Sequence, residues 1–181
     1  MEAQIWLDEV IEQLRQTRRQ CERAAQQVDG DDFFATLGDY PMSVGLTMKH
    51  IGGNLRSRWR DFLTTDGEKA DRRRDAEFLL EPGDTRALVE AGWHEGWSIA
   101  LASLEALEPA DLERSVTIRG EPHSVTQAIL RTVGHLSYHG GQIVLLARHF
   151  AGEHWQTLSV AVGESEQHND EMRRRFGDWS A

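Results

Sequence analysis

The sequence predicts an all-α protein: four long helices, antiparallel or nearly so, packed as a helical bundle. Three observations predict it. Apolar residues recur at helical spacing in four separate segments. Helix-starting residues precede three of them, at Ser43, Asp84 and Ser124. The second and fourth segments also carry polar side chains on inward stripes, and bundles build metal and ligand sites from side chains on facing helices. Residues 1–181 read as one domain, long enough to bury a full core without disulfide staples.

The first helix is predicted from about Glu2 to Val28, where Ile5, Leu7, Val10, Ile11, Leu14 and Cys21 recur near helical spacing. Asp29-Gly30-Asp31-Asp32 ends it. Phe33, Phe34, Leu37 and Tyr40 then form an irregular link over one end of the core. A second helix runs from Ser43 to about Leu63, with His50, Asn54, Ser57 and Asp61 on one stripe. Gly52 and Gly53 each weaken that helix by about 1 kcal/mol relative to Ala, so they point to close approach by a neighbouring helix or by a ligand. Thr64 to Gly83 reads as a long polar connection, too polar for core. The third helix, capped by Asp84 and running to about Leu107, places Trp93, Trp97, Ala100, Leu101 and Leu104 on its apolar stripe. Those tryptophans read as core that can also wall a pocket. Ser115-Val-Thr-Ile118 has the alternation of a short strand or extended loop. Ser124 and Gln127 make a capping box for the fourth helix, which Gly152 stops, and a short helix is predicted from about Ser165 to Phe176.

Charge and composition narrow the function. The formal net charge is −10, from 20 basic and 30 acidic residues. Sequence-independent nucleic-acid binding draws on phosphate neutralisation by Lys and Arg, so this balance argues against a nucleic-acid partner. Arg72-Arg73-Arg74 and Arg173-Arg174-Arg175 each have acids close by and read as solvated surface. One cysteine, Cys21, rules out an intramolecular disulfide framework and fits a reducing compartment. The acidic start carries no signal-peptide pattern and no apolar run approaches a membrane span, so the expected location is cytoplasmic, with no membrane partner.

The stretch that organises the chain is Thr132-Val-Gly-His135-Leu-Ser-Tyr-His139-Gly-Gly-Gln142. Two histidines four apart on a helix project from one face and can reach a single cation. With 8 histidines among 181 residues, about one such chain in three would show this spacing by chance. The pair alone therefore leaves two readings open, metal ligands or hydrogen-bonded core histidines. His50, on the inward stripe of the second helix, offers a third imidazole. Asn54 and Asp61 on its stripe, with Tyr138 and Gln142 near the pair, are candidates for orienting ligands or bonding to the imidazoles; Trp93 and Trp97 are candidates for the pocket wall.

Longer matches extend this reading. Lys49-His50-Ile-Gly-Gly-Asn54-Leu-Arg-Ser-Arg-Trp59-Arg-Asp61, Trp93-His-Glu-Gly-Trp97, Ile118-Arg-Gly-Glu121-Pro-His-Ser-Val-Thr-Gln-Ala128 and His135-Leu-Ser-Tyr-His139-Gly-Gly-Gln142 occur in matching order over most of the chain. Through them the sequence resembles the DinB/YfiT-like superfamily, whose members are read as metalloenzymes, and within it a DinB-like subfamily of unknown function. The resemblance implies an antiparallel four-helix bundle with extra segments in its loops and C-terminus, and often a homodimer. It implies metal ligands at His50, His135 and His139, holding a divalent ion: zinc or nickel first, with iron and manganese also open. It further implies a small-molecule or low-molecular-weight thiol ligand and a thiol-dependent transferase or a hydrolase. The catalytic residues are not implied, and a non-catalytic bundle stabilised by metal or binding a ligand stays open beside the enzyme. The tail departs from the subfamily pattern: Ala161-Val162 and Glu164 stand where a Pro-Arg pair and a Lys are usual.

Overall fold

The computed structural model describes residues 2–177, and the chain is mainly helical. Its α-helices are α1 (Ala3–Ala25), α2 (Val44–Trp59), α3 (Arg86–Glu105), α4 (Val125–Ala151) and α5 (Ser165–Phe176). One two-stranded sheet, β1 (Ser115–Ile118) with β2 (Glu121–Ser124), precedes α4. Among the described residues no helix is long and apolar enough to cross a membrane.

Local chemistry sets the helix starts. The Ser43 side chain accepts from Leu46 N at the head of α2. At α4, Ser124 and Gln127 form the expected reciprocal capping box, and Gly152 at φ +54° ends the helix. The α3 cap is a correction: Thr85, not Asp84, accepts from Leu88 N. Asp84 is drawn away by Lys49, whose Nζ lies 2.7 Å from its Oδ2, and by Glu81 N.

The core lies where α2 packs along α3 and α4, and α1 along α4. Leu7, Leu14, Ile51, Leu55, Trp59, Trp93, Trp97, Ile129, Leu136 and Ile143 are fully or almost fully buried in it. Phe33 closes one end as expected, capped by the Arg86 guanidinium 4.6 Å above its ring, whereas Leu37 and Tyr40 stay exposed. The α2–α3 contact is made by glycine. A methyl on Gly52 would lie 2.8 Å from Gly92 O, and one on Gly96 would overlap Gly52 O. The backbones meet there, so Gly52 serves a neighbouring helix rather than a ligand.

The connection from Thr64 to Gly83 is not the solvated loop its polarity suggests. Asp66 accepts from the backbone N–H groups of Glu68, Arg119 and Gly120. Those three donors outweigh desolvation and hold its carboxyl well below the usual range. Gly67 N donates to Thr117 O, and Ser57 Oγ bridges Gly67 O and Lys69 N. The β1–β2 turn, with Arg119 at φ +57° and Gly120 at φ +76°, has the two left-handed residues of a type I′ hairpin. Loop and hairpin are thus clamped together beside the ends of α2 and α4. The sequence had disclosed only β1. Its partner begins Glu121-Pro122, and proline gives no strand signal.

Candidate metal centre

Helix α2 presents His50 toward α4, which presents His135 and His139 one turn apart. One nitrogen from each ring lies within 4.8 Å of the other two. His50 Nε2 and His135 Nε2 are 3.2 Å apart. Two nitrogens bound to one tetrahedral zinc, each at about 2.05 Å, would be about 3.3 Å apart.

What holds the rings decides which nitrogen faces inward. His50 Nδ1 lies 2.8 Å from Glu77 Oε2. An ionised carboxylate only accepts, so His50 Nδ1 carries a proton and Nε2 is the nitrogen left facing the centre. His139 Nδ1 donates to Gln142 Oε1 at 2.7 Å, and Gln142 Nε2 donates to the Tyr40 hydroxyl at 2.7 Å. Its Nε2 is freed in the same way. Hydrogen bonds of this kind on the outer nitrogen fix the tautomer of metal-binding histidines.

Glu77 is itself held. Arg72 grips it with both arms, Nε to Oε1 and Nη2 to Oε2, each at 2.8 Å, and also reaches Glu68 at 3.1 Å. Burial alone would raise the Glu77 carboxyl. The hydrogen bonds from Arg72 and His50 outweigh it and keep the group below its ordinary value, hence ionised. A side chain on Gly53 would collide with Glu77, so this second glycine makes room for the carboxylate behind His50. His135 is pushed down to about 3 by desolvation, then by His139, His50, Arg58 and Arg72, and desolvation also lowers His139. Both rings are therefore neutral at physiological pH, the state that metal binding requires.

The other predicted residues divide. Asn54 lines the cavity over the three imidazoles, and Gln142 anchors His139. Asp61 does not join them: α2 ends at Trp59, and Asp61 sits exposed beyond it at φ +50°, off the His50 stripe. Trp93 and Trp97 pack edge to face at 5.5 Å inside the core and wall no part of this cavity, with Trp93 Nε1 donating to Glu22. Tyr138 contacts the His139 ring edge-on at 4.9 Å but is 65% exposed and is not among the residues that line the cavity. Arg72 is the clearest correction. The run read as solvated surface contains a side chain only 4% exposed that organises the site. Glu77, Arg72 and Tyr40 were missed because they lie in irregular segments, where no periodicity marks an inward side chain.

Fold and site together define a mainly helical protein with a three-histidine group able to hold a metal ion. Residues 1–164 match the protein family of unknown function DUF1572, and the chain belongs to that family. The match covers everything up to the start of α5. No curated protein and no solved structure matches it.

Proposed function

We propose that His50, His135 and His139 bind a divalent metal ion, zinc or nickel by preference, in a centre open to a small-molecule or thiol ligand. The observation that carries this reading is the anchoring of two rings by their outer nitrogens, so that their inner nitrogens converge from two helices. In the metal-free protein the 3.2 Å contact is a hydrogen bond that His135 Nε2–H can donate to His50 Nε2, and a metal ion would replace that shared proton. Three protein ligands leave a coordination position free, as in catalytic rather than structural sites. A metal there would supply Lewis acidity and lower the pKa of a bound water or thiol.

The chain's own residues define the rest. Glu77 and Gln142 hold the two rings, Arg72 keeps Glu77 ionised, and Asn54 and Thr132 offer hydrogen bonds to whatever enters. Among the described residues no carboxylate lines the cavity, so the reading extends to a metal-dependent transferase or hydrolase without assigning a general base. We further read α1 to α4 as an antiparallel bundle of DinB/YfiT type. The pairing of α2 with α3 and of α1 and α2 with α4 supports that reading, and so do the ligand positions on the second and fourth helices.

The test is metal content of untagged protein after chelation and reloading with Zn²⁺. His50→Ala, His135→Ala and His139→Ala should each lose stoichiometric loading, while His94→Ala and His149→Ala load as the wild type does. Glu77→Gln should weaken affinity by about 10–100-fold, the usual cost of losing a residue that orients a ligand. Unchanged loading in all three ligand variants would remove the centre.

A further inference from the structure

The cavity above the three imidazoles, about 300 Å³ in volume, is walled by five arginines: Arg58, Arg72, Arg74, Arg119 and Arg131. In a chain of net charge −10 this is a local reversal of sign. Three of the five are accounted for. Arg72 is committed to Glu77 and Glu68, Arg119 lies 3.3 Å from Glu68, and Arg74 lies over the Phe78 ring with Asp75 at 3.5 Å. Arg58 and Arg131 are not. Among the described residues neither forms an ion pair or donates a hydrogen bond to protein, and Arg58 is only 7% exposed, with its Nε buried and unpartnered.

A buried guanidinium without an acceptor is a costly arrangement. Here desolvation and then the like charges of Arg131, Arg72 and Arg119 bring Arg58 down to about 10, against an attraction from Glu68 that does not cancel them. It still carries its charge at neutral pH. Helix packing does not require that charge, since Trp59 and Leu55 beside it fill the core. A divalent ion on the histidines would add further positive charge to the same cavity. What the cavity lacks is an anion, and guanidinium groups match the planar or tetrahedral oxygens of carboxylate and phosphate.

We propose that this cavity binds a small molecule bearing a phosphate or carboxylate group, held by Arg58 and Arg131, with the rest of the molecule facing the three-histidine centre. This deepens the metal reading by naming the ligand's chemistry, and it rests on that reading only for what the far end of the ligand meets. The anion subsite itself needs no metal.

The test is therefore made first on metal-stripped protein. Calorimetric titrations with inorganic phosphate and, separately, with succinate, at constant ionic strength in chloride, measure binding to wild type, Arg131→Gln and Arg58→Gln. At least one of the two anions should bind the wild type, and which binds more tightly tells a phosphate ligand from a carboxylate one. Each substitution should weaken that binding by about 10–100-fold, the range for losing a hydrogen bond to a charged group. Arg131 is exposed, so Arg131→Gln decides the matter even if Arg58→Gln does not fold. Both variants should take up Zn²⁺ at least as well as wild type, since each removes a repelling charge. Binding of neither anion to stripped or Zn-loaded protein would overturn the proposal, as would binding unchanged by Arg131→Gln. Arginine-dependent anion binding in a protein that takes up no metal would leave this subsite standing and remove the metal centre instead.

Discussion

Zn²⁺ or Ni²⁺ added to chelator-treated protein at pH 7.5 should raise its melting temperature by about 5–10 °C. A ligand that binds only the folded state, at a free concentration about 100-fold above its dissociation constant, stabilises by about 2.7 kcal/mol. For a chain of this size each kcal/mol is worth about 2–4 °C. The pH dependence has a definite sign. An unfolded histidine titrates near pH 6.5, whereas His135 is held down to about 3 and His139 is also depressed. Between those values the unfolded chain takes up protons that the folded metal-free protein refuses. Their contribution is therefore whole above about pH 6.5 and is lost as pH falls toward the folded values, by at most about 1.4 kcal/mol per pH unit for each histidine. The increment due to metal should shrink as well from pH 7.5 to pH 5, because protons and metal compete for the same nitrogens. Thermal melting with and without metal at both pH values reads both effects. Equal melting temperatures at pH 7.5, in protein verified as stripped beforehand, would decide against a metal centre.

The second large effect belongs to the α2–α3 contact. Gly96→Ala should destabilise by about 1–3 kcal/mol, the cost of forcing extra volume into a packed interface, even though alanine gains about 1 kcal/mol of helix propensity. The methyl would overlap Gly52 O, and a carbonyl of a packed helix cannot swing aside as the end of a flexible side chain can. Gly92→Ala is the control. It lies one turn earlier on the same helix, nothing stands within 4 Å of its added carbon, and it should stabilise by about 0.5–1 kcal/mol. Urea unfolding of the two variants separates packing from propensity, since propensity alone predicts the same sign for both. A Gly96→Ala protein as stable as Gly92→Ala would show that the helices are not in backbone contact. Because Gly52 lies two residues from His50, a shifted α2 should also weaken metal loading in Gly96→Ala.

Much of the helical framework was legible in the chain because its signals are local. The Ser124–Gln127 box, the Gly152 stop and the apolar spacing between them specify α4, each from residues close to one another in the chain, and α5 was read at Ser165–Phe176 from its own local pattern. The histidine pair was legible too, since two residues four apart on a helix must share a face. His50 was legible as an inward polar residue on α2. That it meets His135 at 3.2 Å is a fact about two residues 85 apart in sequence, which no periodicity encodes.

What only the tertiary structure decided lies in the segments without a period. Asp61 fell on the right stripe of a helical wheel, but α2 stops at Trp59 and the wheel stops with it. Arg72 and Glu77 sit in a polar connection whose composition looks solvated, yet the Asp66, Gly67 and Ser57 hydrogen bonds fold that connection onto α2 and the hairpin, burying the pair behind His50. Burial of a charge depends on finding its partner, and the partners here come together only when loop, hairpin and helix close on one another. The sequence by itself singled out His50, His135 and His139 as candidate ligands. The folded chain decided which of their nitrogens face inward, and that the cavity above them is lined with arginine.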